Sequence, residues 1–162
     1  NRSRLISAMA VGVTFLVGCS QGATNSPATV GLVTLSNEAT SIEASIGDRP
    51  VLVSLWAVWC QPCRRELPEL QRIHDSGAAV DVLAVNVGDD PERITSYLDE
   101  MDLALPVVVD PVGDLLTALD IGTVPATILF GADGSILWSH LGAVTTDQVN
   151  QALATFVVPS KG

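Results

Sequence analysis

The sequence predicts an α/β domain on three observations. Short apolar runs alternate along the chain with segments whose apolar residues recur at helical spacing. The runs are near-continuous, as expected of strands covered on both faces of a sheet. Between them stand residues that cap helices and build turns. The 162 residues suit one such domain, and at 48% apolar and 16% charged the chain can bury a core. Its 18 acids against 8 bases, a formal charge of −10, argue against a phosphate-binding surface and against nucleic acid as a partner. Three cysteines are too few to staple a small secreted scaffold.

The elements follow in chain order. Val51-Leu52-Val53-Ser54-Leu55-Trp56 and Val80 to Val87 are the first buried strands, and Leu67, Leu70 and Ile73 mark a helix between them. Asp90-Pro91-Glu92 opens a second helix, with Asp90 as its cap and Ile94, Tyr97, Leu98 and Met101 as its apolar face. Pro106 to Val109 is a short β-branched run. It precedes a helix on Leu115, Leu116 and Leu119 that Gly122 is expected to end. Ala126 to Phe130 and Ser135 to Ser139, joined by Gly131-Ala132-Asp133-Gly134, predict a hairpin. Thr145-Thr146-Asp147-Gln148 has the capping-box pattern, and the helix it starts is expected to bury Val149, Ala152, Leu153 and Phe156. There are no internal repeats or low-complexity tracts.

The ends differ from this middle. The first 18 residues hold Arg2 and Arg4 and no acid, and Leu5 to Val17 is uncharged throughout. That tract is short for a hydrocarbon core of ~30 Å but suits the apolar region of an export signal. It ends in Leu16-Val17-Gly18-Cys19, which resembles the lipobox of bacterial lipoproteins. The resemblance implies a signal peptide over residues 1–18 and a lipidated Cys19 as the new N-terminus. Residues 19–162 keep 6 bases and 18 acids, a charge of −12, so no basic patch helps the lipid hold the membrane. Residues 19–29 are expected to form a flexible polar tether. Residues 30–158 are expected to form the folded domain, and 159–162 a tail. The expected location is the bacterial cell membrane, lipid-anchored on its extracytoplasmic side.

The chemistry lies where the first buried strand meets the first helix, in Trp56-Ala57-Val58-Trp59-Cys60-Gln61-Pro62-Cys63-Arg64-Arg65-Glu66-Leu67-Pro68. Two thiols three positions apart at a helix start form a redox couple. Unpaired backbone N–H groups and the dipole favour a Cys60 thiolate, while Cys63 lies one turn deeper. Cys60 is therefore expected to attack and Cys63 to resolve. Zinc competes for the same spacing but needs four ligands, and neither a second cysteine pair nor His74 or His140 supplies them at suitable spacing. A permanent structural disulfide is the other competitor, although so short a span removes little unfolded-chain entropy.

This stretch resembles the active site of the TlpA-like (ResA-like) membrane-anchored thiol-disulfide oxidoreductases of the thioredoxin superfamily. Their pattern Trp-Cys-x-Pro-Cys-x-x-Glu-x-Pro is matched at Trp59, Cys60, Pro62, Cys63, Glu66 and Pro68. A second mark, Gly122-Thr123-Val124-Pro125-Ala126-Thr127, resembles the loop whose proline is cis in thioredoxin-like folds. The resemblance spans about Leu32 to Phe156. It implies a thioredoxin-like fold with a central mixed sheet flanked by helices, and the family's extra helix and strand near Asp90 to Asp110.

The resemblance also assigns roles. Cys60, Cys63, Glu66 and Pro125 become the catalytic set, and Trp59, Pro62, Thr123 and Val124 the substrate-binding set. A cis Pro125 would present a ring without an N–H beside the sulfurs and leave the Val124 backbone to pair with a client strand. Trp59 is expected to shield Cys60, and Pro62 to stiffen the helix start. Thioredoxin commonly has a buried acid in the strand before the motif, where this chain has Ser54. Glu66 is therefore expected to manage protons and, once buried, to have a raised pKa. Arg64 and Arg65 are expected to point outward, His74 to lie on a helix surface, His140 at a strand end, and Trp138 on the hairpin.

The implied function is a protein disulfide reductase without cofactor or bound metal. Its partners would be client proteins with disulfides or thiols, apocytochrome c among the clients of related proteins, and a membrane electron donor for re-reduction. The alternatives are a disulfide-forming oxidase, a thiol peroxidase and a copper-delivery module. Peroxidases place their cysteine in a Pro-x-x-x-Thr/Ser-x-x-Cys context absent before Cys60, and copper modules use a wider cysteine spacing with a distant histidine.

Overall fold

A computed structural model describes residues 26–157. The expected signal peptide and Cys19 lie outside the described residues. A seven-stranded mixed sheet in the order β2-β1-β5-β4-β3-β6-β7 forms the centre. Its strands are β1 (Leu32–Thr34), β2 (Ala39–Thr40), β3 (Val51–Trp56), β4 (Asp81–Val87), β5 (Val107–Asp110), β6 (Ala126–Phe130) and β7 (Ile136–Leu141). The helices are α1 (Ile42–Ser45), α2 (Gln61–Asp75), α3 (Pro91–Glu100), α4 (Asp114–Ala118) and α5 (Thr146–Phe156). The fold is thioredoxin-like, with α3 and β5 as the added helix and strand. Among the described residues no helix is long and apolar enough to cross a membrane.

β3, β4 and β5 run parallel, while β6 lies antiparallel to β3. All six residues of β3 and all five of β6 are buried, as near-continuous apolar runs require when both faces of a sheet are covered. One core layer packs Leu52, Trp56, Leu67, Leu70 and Leu129 with Ile94 and Tyr97 of α3. The opposite layer gathers Val51, Val53, Leu55, Ile128 and Phe130 with Leu115 of α4. β3 therefore belongs to both layers, and the loop at its C-terminal end starts from a fixed point.

The caps follow the sequence at three helices. Asp90 accepts from the Glu92 amide, and Thr145 and Gln148 form the reciprocal capping box. Cys60 itself caps α2. Elsewhere the structure departs from expectation. Ordered packing reaches into the predicted tether: Pro27–Thr29 forms a 3-10 turn, Ala28 is buried, and the Ser26 hydroxyl donates to the Gly134 carbonyl. The segments β1, β2 and α1 had no periodic signal, being two to four residues long.

Helix α4 ends at Ala118 with Leu119 as its C-cap, and the residue that turns the chain out of it is Asp120, not Gly122. Asp120 takes the left-handed conformation with φ 54°, and the Ile121 and Asp120 amides donate back to the Leu116 and Thr117 carbonyls. Phe156, expected in the core, is 43% exposed because α5 ends there and only Val149 and Ala152 are fully covered. Pro68 sits inside α2, which continues through it to Asp75.

Candidate active site

The β3–α2 connection is a single turn. The Cys60 amide donates to the Ala57 carbonyl at 3.1 Å, and the Cys63 amide donates to the Cys60 carbonyl at 3.1 Å and faces its Sγ at 3.3 Å. The Cys63 amide in the first turn of α2 is thus capped by Cys60 itself, whose sulfur lies at the positive end of the α2 dipole. Pro62 stands in the first turn, where it forfeits no hydrogen bond. Cys60 and Cys63 are joined in a disulfide with their Cα atoms 5.3 Å apart. Cys63 is fully buried and Cys60 retains 3% of its surface. The predicted attacking residue is thus the outer one.

Pro125 immediately precedes β6. Because Ala126 pairs with Leu55 in the antiparallel register, Pro125 lies at the same end of the sheet as Trp56 and the cysteine turn. Its peptide bond with Val124 is cis. Pro125 is buried, Val124 is half-buried, and Thr123 is exposed with its hydroxyl donating to the Val124 carbonyl at 3.4 Å. The Pro125 carbonyl accepts from the Gly142 amide, which ties this loop to the end of β7.

Glu66 is fully buried one turn beyond Cys63. Its Oε1 accepts from the Thr127 hydroxyl at 2.6 Å, while Oε2 has no hydrogen-bond partner. The Ser54 hydroxyl and the Val144 amide also face this carboxyl, and Ser54 and Thr127 are register partners across β3 and β6. Burial outweighs these polar neighbours and pushes the carboxyl from 4.5 up to about 7. Near neutral pH the group is poised between acid and carboxylate, with Oε2 left to carry the proton. Thr127 had appeared in the sequence only as part of the proline motif. A hydroxyl inside a strand buried on both faces must find a partner, and that was the available signal.

Asp89 is another buried carboxylate, and no motif of the sequence marks it. Asp89, at the end of β4, accepts from the Val58 amide at 2.7 Å and from the Asn86 side-chain amide at 3.0 Å through Oδ2. Its charge is balanced by Arg93 at 3.7 Å. In the sequence it reads as one more acid before a helix.

The remaining expectations divide. Trp59 is 68% exposed, while Cys60 beside it retains only 3% of its surface. Arg65 and His74 are exposed. Arg64 lies over the Tyr97 ring at 5.1 Å and pairs with Glu100 at 3.1 Å, forming one wall of a groove of about 420 Å³ beside Val58 and Arg93. His140 sits opposite Thr127 within β7, stacked on Trp138. Among the described residues no group of three or more His, Cys, Asp or Glu is arranged to hold a metal ion.

Fold and site together define a thioredoxin-like protein with a Cys-x-x-Cys couple at a helix start. Residues 21–155 match the Redoxin family, and the chain belongs to it. It is 30% identical over 105 residues to the thiol-disulfide oxidoreductase ResA of Geobacillus thermodenitrificans, an alignment covering 64% of this chain and 60% of that one. It is 28% identical over 130 residues to the sporulation thiol-disulfide oxidoreductase A of Bacillus subtilis, covering 77% and 78%. The crystal structure of StoA from Bacillus subtilis superposes with a TM-score of 0.65 at 26% identity, covering 78% of this chain and 96% of that one. The chain thus spans about 60% of the ResA relative's length.

Proposed function

We propose that this protein is an exported, lipid-anchored thiol-disulfide oxidoreductase that reduces disulfides in client proteins outside the cytoplasmic membrane. The observation that carries this is the Cys60–Cys63 disulfide closed over a helix N-terminus, with the Glu66 carboxyl buried one turn away. In the reduced protein the Cys60 thiolate attacks one sulfur of a client disulfide, forming a mixed disulfide and expelling the client's other sulfur as a thiolate. Glu66 accepts the Cys63 proton, directly or through water. The Cys63 thiolate then attacks Cys60 Sγ, closes the internal disulfide and releases the second client thiol. Two electrons pass from the couple to the client. Re-reduction falls to a membrane electron donor.

Each neighbour has a part in that exchange. Val124 offers backbone groups to a client strand beside the sulfurs, Pro125 and Thr123 shape that loop, and the exposed Trp59 ring gives the client an apolar contact. Apocytochrome c thiols awaiting haem are among the proposed clients. The membrane anchor rests on Leu16-Val17-Gly18-Cys19 alone.

Replacing Cys63 with Ala tests the mechanism, because the second step is then lost. Exported thiol proteins are expected to accumulate as mixed disulfides through Cys60, and their absence from cells carrying the variant overturns the exchange. Equilibration of the native couple with glutathione tests the direction. A potential well below about −200 mV fits a reductant, whereas one near about −120 mV makes the protein an oxidase.

A further inference from the structure

The cysteine turn is held from outside its own element, and the residue that holds it belongs to no motif of the sequence. We propose that Asp89 is a positioning residue for the Cys60–Cys63 couple, acting through the Val58 amide. This rests on the exchange function proposed above and adds a residue to it.

The geometry is specific. Val58 lies two residues before Cys60, inside the turn closed by the Cys60 amide and the Ala57 carbonyl. That closure leaves the Val58 amide pointing away from the turn, and Asp89 Oδ2 receives it at 2.7 Å. Asp89 is only 8% exposed and is fixed in turn by Asn86, whose side chain donates to Oδ2 and accepts from the Asp89 amide, both at 3.0 Å. Asn86 is fully buried in β4 and is the register partner of Trp56, the last residue of β3. The chain of contacts runs from the sheet, through Asn86 and Asp89, to the turn that presents Cys60.

A buried carboxylate gives up much hydration, and here a partly exposed arginine at 3.7 Å supplies the countercharge. A turn amide at the surface would otherwise be satisfied by water. Holding it with a buried side-chain oxygen that Asn86 locks in place fixes Val58, Trp59 and Cys60 relative to the first turn of α2. The Cys60 thiolate is stabilised only while its sulfur stays at that helix end, since the dipole's influence falls away within a turn. Asp89 thereby sets the nucleophile's position, and through position its thiol pKa.

The test compares two substitutions in the full-length protein. Asp89→Asn removes the charge but keeps an oxygen for the Val58 amide; Asp89→Ala removes both. After reduction, Cys60 alkylation by iodoacetamide is followed across pH, and the couple is equilibrated with glutathione. Asp89→Ala is expected to slow alkylation at fixed pH about tenfold, the scale of a small loss of positioning, to move the pH profile upward and to shift the glutathione equilibrium. Asp89→Asn is expected to stay near native in all three. A folded Asp89→Ala with a native profile overturns the proposal, and so does an Asp89→Asn as impaired as Asp89→Ala, which would assign the effect to charge.

If Asp89→Ala does not fold, Asp89→Ser takes its place, being polar enough for Asn86 but too short to reach Val58. In the unaltered protein the Val58 amide is expected to be protected from hydrogen exchange, and rapid exchange there overturns the proposal without any variant. Failure of the native couple to exchange with glutathione at all would instead count against the function proposed above.

Discussion

Glu66 keeps a proton at a pH where an exposed glutamate would have lost it. Its carboxyl titrates at about 7 in the fold against 4.5 ordinarily, chiefly because burial penalises the charged form. Between those values the folded chain binds more protons than the unfolded one, so stability is fully present below about pH 4.5 and declines as pH rises through about 7. The shift corresponds to about 3 kcal/mol at most. Urea unfolding of the disulfide form at a series of pH values is expected to show that decline, and Glu66→Gln is expected to flatten it while keeping an acceptor for Thr127. An equal slope in the variant would assign the proton to another group.

At the scale of elements, what was legible was whatever repeats or caps. The strands Val51–Trp56 and Ala126–Phe130 and the caps Asp90 and Thr145 stand where their residue types put them. The cysteine pair at a helix start was legible for the same reason, since cap, proline and spacing are all local. Asp89 was not, because its role exists only once β4 carries it beside β3. Thr127 and Ser54 show the intermediate case, polar residues in buried strands that announce a partner without naming it. The end of α4 differs from expectation because glycine is the usual left-handed residue, yet aspartate tolerates that region and two main-chain bonds hold Asp120 there. Asp120→Gly relieves the residual steric cost, partly offset by the freer unfolded chain. It is expected to raise the urea midpoint by an amount equivalent to about 0.5 kcal/mol, a fraction of the left-handed penalty, and to leave the glutathione equilibrium unchanged. A lowered midpoint would mean that the Asp120 side chain contributes at the helix end.

At the scale of the whole molecule, charge is expected to govern which clients arrive under the proposed function. Residues 26–157 carry all 18 acids and only 5 arginines, and two of those arginines, Arg64 and Arg93, are paired with Glu100 and Asp89 beside the cysteine turn. The surface field is therefore negative, with the couple itself set among Trp59, Val58 and Val124, none of them charged. Such a field raises encounter rates with basic proteins and lowers them with acidic ones, while the final thiol chemistry is the same for both. Two disulfide-bonded peptides of equal length, one basic and one acidic, separate the contributions. In low salt the reduced protein is expected to react with the basic peptide at least about tenfold faster. The ratio should collapse toward unity in about 1 M salt, where the Debye length of about 3 Å no longer carries the field beyond first contact. A ratio that survives high salt would instead locate selectivity in direct contacts at the Val58–Arg64 groove. A ratio near unity in low salt would mean that the acidic surface lies too far from the couple to steer its clients.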